Sequence, residues 1–247
     1  MKKGCIWITG LSGAGKTTLA ESFIAALGRP VTFLDGDAVR QTLCRDLGYS
    51  KADRDSNVER IAFVANEVVR AGGIAVVACI SPYRDARQKA RELIGDFFEV
   101  HMDNASRDIY AGEYEAGTAD VTYSGDTANA VDLIDRLTQM GYLGTSFLLG
   151  RYQPWHDGHT ALFKEALKEG KVCIGVRREL RDEMNFTQVK ANIDRALAEY
   201  RGRYDVIEMP NITQIGYGRN VGYEVKRFEL PADVEAISAT KIRAATA

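Results

Sequence analysis

Short apolar runs alternate with amphipathic stretches along the N-terminal half of the chain. The runs are nearly continuous in apolar side chains, as in strands buried on both faces of a parallel sheet. The predicted strands are 4–9, 31–34, 74–80, 97–102 and 119–123. The stretches between them carry apolar residues at helical spacing, and the predicted helices are 16–27, 53–71, 84–93 and 128–140. This alternation predicts an α/β domain built on a parallel sheet.

A second series of the same kind follows residues 141–145, which have the composition of a linker. Its predicted strands are 146–149, 172–176 and 205–209, and its predicted helices are 159–167, 186–200 and a short helix starting near Ser238. The predicted fold class is therefore α/β, with two tandem doubly wound parallel-sheet domains at 1–142 and 146–247.

Charge and cysteine usage narrow the classes of function. The formal net charge is −2 and no lysine- or arginine-rich run is present, which disfavours nucleic acid and anionic membranes as partners. No leader or apolar membrane span is recognisable. The four cysteines are scattered, which fits reduced thiols and a cytoplasmic location. We expect small-molecule nucleotides and an anionic metabolite as partners, and the sequence leaves a homo-oligomer open.

The first chemical motif is GLSGAGKTT at 10–18, which follows a predicted strand and opens a helix. Its glycines let backbone N–H groups converge on phosphate oxygens at the positive end of the helix. Lys16 is placed to reach the β- and γ-phosphates of ATP, and the Thr17 hydroxyl is a Mg²⁺ ligand. The predicted phosphate-binding residues are Gly10, Ser12, Gly13, Ala14, Gly15, Lys16, Thr17 and Thr18.

Two carboxylates, Asp35 and Asp37, follow the second predicted strand. Ligands of open parallel sheets bind beyond the carboxyl ends of the strands. Either carboxylate can therefore orient Mg²⁺ or take a proton from an acceptor hydroxyl. For each of them, capping of a helix is the alternative.

Further segments extend this first site: DLGYS at 46–50, DRDSNVER at 53–60 and ISPYR at 80–84. Together with GLSGAGKTT and LDGDAVR (34–40), they resemble adenylylsulfate (APS) kinases over about the first hundred residues. In that family the matching segments hold the sulfonucleotide whose 3′-hydroxyl is phosphorylated. The resemblance makes Lys16, Asp35 and Asp37 the catalytic candidates. It assigns acceptor binding to Arg40, Arg54, Asn57, Ser81 and Arg84, of which the arginines suit an anionic acceptor.

The resemblance to APS kinases fails at residues 107–117. These read RDIYAGEYEAG, where the family has a basic lid and an N-F-T-G-x-D element. Lid closure excludes water and adds cations around the transferred phosphoryl group. Either another segment supplies these cations or the acceptor is not APS. Cytidine diphosphoramidate is the alternative acceptor.

The second chemical motif is GRYQPWHDGH at 150–159, again between a predicted strand and a helix. His156 and His159 are three residues apart at a helix start, so both imidazoles can donate to one phosphate group. Gly150 belongs to the predicted phosphate-binding turn, and Gly158 lets a nucleotide approach the backbone. A metal pair and two unrelated surface histidines are the alternatives.

This motif resembles the HxGH nucleotidyltransferase superfamily, and ISATKIR at 237–243 resembles its second signature. The resemblance implies that a substrate phosphate attacks the α-phosphorus of CTP or ATP and releases pyrophosphate. His156 and His159 would stabilise the transition-state charge. Ser238 or Thr240 would cap a phosphate-binding helix, and Arg243 would bind pyrophosphate. Residues 217–223 would form a loop near the substrate or base.

The two motifs together predict a bifunctional transferase that uses ATP and Mg²⁺ in the first domain and CTP or ATP in the second. One rival is a single-activity nucleotidyltransferase whose P-loop domain is a nucleotide sensor. The other is a regulator that binds nucleotide without catalysis.

Overall fold

The computed structural model describes residues 3–104, 114–179, 182–215, 224–235 and 237. The chain divides into two compact units, Met1–Leu143 and Gly144–Ala247. Among the described residues, no helix combines the length and apolarity that crossing a membrane requires.

The first unit is a five-stranded parallel sheet in the order β2-β3-β1-β4-β5. The strands are β1 (Gly4–Thr9), β2 (Thr32–Asp35), β3 (Ile74–Ala78), β4 (Phe97–Asp103) and β5 (Val121–Ser124). The helices are α1 (Lys16–Leu27), α2 (Gly36–Gln41), α3 (Lys51–Arg70), α4 (Arg84–Ile94) and α5 (Ala130–Gln139).

Side chains of β1 alternate between two apolar cores. Ile6 and Ile8 pack with residues of α1 and α5. Cys5 and Trp7 pack with residues of α3 and α4. Because strand side chains point alternately to opposite faces, helices cover both faces of this sheet. The doubly wound arrangement predicted for the first domain is observed.

The helices α2, α3 and α5 of this unit each begin after a capping side chain. The Ser50 hydroxyl accepts from the Asp53 backbone N–H, and the Asp53 carboxylate accepts from the Ser50 N–H, which forms a capping box. Helix α3 therefore begins at Lys51, two residues before the predicted start. Helix α2 was not predicted, and it begins where the Asp35 carboxylate accepts from two backbone N–H groups.

The second unit contains a three-stranded parallel sheet in the order β6-β7-β8 among its described residues. The strands are β6 (Gly144–Gly150), β7 (Gly170–Arg177) and β8 (Tyr204–Met209). The helices are α6 (Asp157–Leu167), α7 (Phe186–Ala196) and α8 (Ala232–Glu235), with a 3-10 turn at Ala198–Tyr200.

Helices α6 and α7 lie on one face of this smaller sheet. Val172, Ile174 and Val176 of β7 share one apolar core with both helices. On neighbouring strands Phe147 is 47% exposed and Ile207 is 39% exposed. The doubly wound arrangement predicted for the second domain is therefore not confirmed, since the described helices that pack on the sheet, α6 and α7, share one side.

Several predicted boundaries were wrong, among them the linker between the units and the end of α7. Leu143 is buried in the core of the first unit, and Gly144 already pairs with Gly170 in the second sheet. Residues 143–145 are therefore not a linker. Helix α7 ends at Ala196 rather than at 200, where the chain tightens into the 3-10 turn. The helix predicted from Ser238 lies outside the described residues.

Candidate functional site

The loop after β1 requires glycine at its first position. Gly10 has a φ of 140°, and a Cβ built on it would lie 2.5 Å from the carbonyl oxygen of Met102. Gly15 adopts the left-handed conformation at the start of α1. The Lys16 ammonium turns back over the loop and donates to the Leu11 carbonyl over 2.6 Å. These features form a phosphate-sized loop with a cation across it.

Asp35 connects this loop to the end of β2. Its Oδ2 accepts a hydrogen bond of 2.9 Å from the Thr17 hydroxyl. Its Oδ1 accepts from the backbone N–H groups of Asp37 (3.0 Å) and Ala38 (3.2 Å). The capping of α2 by Asp35 is therefore confirmed, and the same carboxylate lies within hydrogen-bond distance of the P-loop, where its proposed chemical role stays a prediction.

One cavity of about 340 Å³ joins the loop to most of the predicted acceptor residues. Its volume is within the range of small-molecule sites. The predicted residues that line it are Ser12, Gly13, Gly15, Lys16, Thr17, Thr18, Asp35, Asp37, Arg40, Arg54, Asn57 and Ser81. Arg84 is not among the lining residues, because its guanidinium donates to the Ala116 carbonyl over 2.6 Å and its N–H to Glu115.

Tyr49 organises the acceptor side of the cavity, although the sequence gave it no separate role. The Arg40 guanidinium lies 4.6 Å from its ring centroid and donates to the Gly48 carbonyl over 2.8 Å. Arg54 donates to the Tyr49 carbonyl over 3.0 Å. Asn57 is 7% exposed, and its Oδ1 has no hydrogen-bond partner among the described residues. The wall therefore combines arginines, an aromatic ring and a buried acceptor oxygen.

Ser81 lies in the opposite wall in a strained conformation. Its φ is 42°, a left-handed value that non-glycine residues seldom adopt. Its hydroxyl accepts from the Trp7 indole over 3.0 Å and lies 2.7 Å from the Cys79 sulfur. Burial raises the pKa of the Cys79 thiol to about 11. Cys79 lines the cavity, and the sequence had suggested only a buried thiol.

The residues next to the loop fit Mg²⁺. Thr17 and Asp35 offer a hydroxyl and a carboxylate within 2.9 Å of each other. Mg²⁺ in nucleotide sites takes one or two such oxygens and completes its shell with phosphate oxygens and water. Within the part of the chain that the structure describes, no group of three or more His, Cys, Asp or Glu forms a self-sufficient metal site. That finding gives no support to the alternative of a histidine metal pair.

The second motif brings His156 and His159 together at the start of α6. Their rings stack with centroids 3.7 Å apart. Burial lowers the pKa of both imidazoles, and the neighbouring His156 contributes to a pKa of about 4 for His159. The Nδ1 of His156 is buried and has no hydrogen-bond partner among the described residues. The pair is thus neutral at pH 7, with one ring nitrogen unsatisfied.

The turn before these histidines is packed tightly. A Cβ on Gly150 would lie 2.7 Å from the Tyr152 ring, and Tyr152 is 5% exposed with a φ of 53°. The Arg151 guanidinium pairs with the buried Asp182 carboxylate over 3.0 Å. The Gln153 amide donates to the Met184 carbonyl over 3.2 Å. Gly150 therefore serves packing within this turn.

Helix α8 lies beside the start of α6, where the two histidines are. A Cβ on Gly158 would lie 3.0 Å from the His156 ring and 3.4 Å from the Val234 carbonyl oxygen. The chain reaches Ile237 three residues later, and the Ile237 N–H donates to that carbonyl over 3.1 Å. Ser238, Thr240 and Arg243 lie outside the described residues, as do 217–223 and lid residues 107–113.

The first unit defines a class of protein. A glycine loop between the central parallel strand and a helix, with a lysine at the first helical position, is the P-loop arrangement of nucleotide-binding domains.

Comparison with known proteins identifies the family. The family model for adenylylsulphate kinase matches residues 2–113. The adenylyl-sulfate kinase of Halothermothrix orenii is 44% identical over 133 residues, which are 53% of this chain and 71% of that protein. The chain belongs to the adenylylsulphate kinase family, and the matched region lies in the first unit.

Two further relatives show how much of the chain resembles this family. The adenylyl-sulfate kinase of Synechococcus sp. (strain JA-3-3Ab) is 56% identical over 101 residues, 40% of this chain and 57% of that protein. The chain therefore spans little more than half the length of this relative. The APS kinase CysC of Mycobacterium tuberculosis, solved in complex with AMPPNP and APS, is 32% identical with a TM-score of 0.50. That match covers 55% of this chain and 98% of the other.

Proposed function

We propose that the first unit transfers the γ-phosphoryl group of ATP to a hydroxyl of a nucleotide-linked anion, with adenylyl sulfate as the first candidate. The observation that carries this proposal is the single cavity lined by both the P-loop and the predicted acceptor residues. Phosphoryl transfer depends mostly on positioning and electrostatics, and both walls of this cavity are suited to that.

The acceptor wall supports a nucleotide as substrate. Arg40 and Arg54 supply cations for a sulfate or phosphate, and the Tyr49 ring lies beside them. The orphaned Asn57 Oδ1 costs free energy unless a ligand donates to it. An exocyclic amine of adenine or cytosine is a donor of that kind. This wall therefore suits adenylyl sulfate and also cytidine diphosphoramidate.

The proposed chemistry assigns different roles to the two carboxylates. The acceptor oxygen bonds to the γ-phosphorus as the bond to the β-phosphate oxygen breaks and ADP leaves. Both Asp35 oxygens already accept hydrogen bonds, so the exposed Asp37 is better placed to take the hydroxyl proton. Lys16 stabilises charge on the transferred phosphates. Mg²⁺ held by Thr17 and Asp35 would neutralise phosphate charge.

A mass-spectrometric assay with ATP and Mg²⁺ tests this proposal against adenylyl sulfate and cytidine diphosphoramidate in parallel. We expect one acceptor to gain a phosphoryl group, and Lys16→Ala to lower its kcat/KM about 10³-fold through lost charge stabilisation. Lys168→Ala, which removes an exposed lysine that pairs with Glu165 at the end of α6, serves as the matched control. Equal and negligible transfer by wild type and Lys16→Ala would instead favour the nucleotide sensor.

We also propose nucleotidyl transfer for the second unit, because a specific observation favours it. Three features support this proposal: the stacked imidazoles, the absence of a Gly158 side chain beside the His156 ring, and the return of the chain to α6 near Ile237. A substrate phosphate would attack the α-phosphorus of CTP or ATP, and the bond to the pyrophosphate would break. The two imidazoles would stabilise the charge that develops.

Pyrophosphate release from CTP and from ATP, measured against a panel of phosphorylated and phosphonylated small molecules, tests this second activity. We expect His159→Ala to reduce the release about 100-fold, the usual scale for losing one charge-stabilising donor. His101→Ala, which removes a buried histidine of the first unit, controls for general effects. Undiminished release in His159→Ala would refute the proposed site.

A further inference from the structure

Arg87 on α4 joins three parts of the first unit. It is 1% exposed, and its Nε donates to Glu99 of β4 over 2.8 Å. One terminal nitrogen donates to the carbonyls of Ser81 (2.7 Å) and Pro82 (3.1 Å). The other donates to the Glu115 carbonyl and to the Thr118 hydroxyl. Every donor direction of this guanidinium is therefore used, and two of its partners belong to the cavity lining.

These bonds bear directly on the strained residue of the cavity wall. A left-handed φ at a serine persists only where the surroundings hold it. The Ser81 hydroxyl is held by Trp7, and its carbonyl is held by Arg87. Releasing the carbonyl lets the 81–82 segment relax towards an ordinary backbone conformation, which moves the wall that Ser81 and Cys79 form.

The ion pair of Arg87 with Glu99 is not by itself a reason for stability. Both side chains are 1% exposed, and removing two charges from water offsets much of their attraction. Buried pairs of this kind are understood better through the geometry that they impose. Here the imposed geometry is the position of the 81–82 carbonyls.

Arg91 is a natural comparison on the same helix. It donates to Glu99, to Asp120 and to the Thr118 carbonyl, so it contacts the same strand and the same following segment. None of these bonds reaches residues 81–82. A variant of Arg91 therefore perturbs the shared network without releasing the cavity wall.

We propose that Arg87 is a positioning residue of the kinase cavity, which sets acceptor affinity by holding the strained 81–82 wall against β4 and the 115–118 segment. The inference rests on the proposed kinase function for the identity of the acceptor. The part of the inference that concerns the position of the wall does not depend on the kinase function, because the rate at which Cys79 is alkylated measures it directly.

The test compares Arg87→Lys with Arg91→Lys by two readouts. In Arg87→Lys we expect the KM for the acceptor substrate to rise about 10-fold, which corresponds to the loss of one or two hydrogen bonds. The KM for ATP should stay within about two-fold of the wild-type value. We expect iodoacetamide to alkylate Cys79 about five-fold faster, because local opening exposes it. Peptide mass spectrometry assigns the label to Cys79.

Arg91→Lys should leave the acceptor KM and the Cys79 alkylation rate unchanged, even if its melting temperature falls as much as that of Arg87→Lys. Equal changes in the two variants, or an Arg87→Lys variant that shifts only the melting temperature, would overturn the inference. If Arg87→Lys does not fold, Glu99→Gln weakens the same anchor and should accelerate Cys79 alkylation. A wild-type protein without acceptor turnover would refute the kinase proposal, while the Cys79 rates would still decide the role of Arg87.

Discussion

The two candidate sites occupy the same kind of position in their sheets, but the side chains that would bind a phosphate differ in charge. Each lies where a glycine-bearing turn joins a parallel strand to a helix. The first presents permanent cations, with Lys16 beside the loop and Arg40 and Arg54 across the cavity. The second presents two stacked imidazoles whose pKa values burial keeps low. Neither imidazole is therefore charged at pH 7, and the histidine pair should affect folding only as the pH falls below about 6.5.

The two sites also differ in the atoms that pack against their glycines. Gly10 is confined by the backbone carbonyl of Met102, inside a sheet covered on both faces. Gly150, at the end of β6, and Gly158, in α6, are confined by the rings of Tyr152 and His156, in a unit whose helices α6 and α7 cover one face of the sheet. Backbone cannot move aside, whereas a ring can turn. Substitutions should therefore damage folding at the first site and ring placement at the second.

Gly10→Ala should produce the largest effect on stability. The added Cβ would meet the Met102 carbonyl at 2.5 Å at a φ of 140°. We expect a loss of about 3 to 5 kcal/mol from strain and overlap together. Gly13→Ala is the matched control, because its Cβ meets nothing within 4 Å at a φ of 74°, and about 1 kcal/mol is expected. Denaturant unfolding measures both, and equal losses would contradict the account.

Acidification should destabilise the second unit. Burial, with a smaller contribution from His156, lowers the pKa of His159 from 6.5 to about 4. The unfolded chain therefore binds this proton as pH falls through about 6.5, and the folded chain binds it only near 4. Stability is full above pH 6.5 and should fall by about 3 kcal/mol between there and pH 4.

Amide hydrogen exchange in β7 follows this loss across the pH window. His159→Gln, which cannot take up the proton, should flatten the dependence. The backbone amides of β1 in the first unit provide the internal comparison, because His159 belongs to the second unit. The same slope in wild type and His159→Gln would show that other groups govern the acid response.

Gly158→Ala should produce the smallest effect, and it should separate stability from activity. Alanine favours the interior of α6, but its Cβ would lie 3.0 Å from the His156 ring. We expect the displaced His156 ring to cost about 1 to 2 kcal/mol in the transition state, so that pyrophosphate release falls about 10-fold. The melting temperature should not fall, because alanine favours the helix. Gly144→Ala, whose Cβ meets only the Glu169 carbonyl at 3.7 Å, should leave release unchanged. A matched fall in both variants would count against the ring contact.

Much of the fold could be predicted because its signals are local. The apolar run of β1 and the glycine at the end of α1 fixed those two elements to the residue. Helix α2 was missed because it has six residues, and its cap, Asp35, was read first as a catalytic carboxylate. The strand β6 was predicted to start at 146 rather than at Gly144, because its first residues are small and polar.

Most residues that line the first cavity could be predicted, whereas its geometry could not. The resemblance to APS kinases placed Arg84 among the acceptor residues, but its partner Ala116 lies 32 residues away and no local pattern indicates that contact. Arg87 was overlooked for the same reason, since its partners are backbone carbonyls and a distant strand. The face on which α7 packs also depends on the direction in which successive strands are added, which periodicity does not reveal.

The central claim is that the chain contains two separate phosphate sites, each serving its own reaction. Phosphoryl transfer and pyrophosphate release measured side by side in wild type, Lys16→Ala and His159→Ala test it most directly. The account predicts that Lys16→Ala loses only the first activity and His159→Ala only the second. Loss of both activities in either variant, or of neither in both, would contradict it.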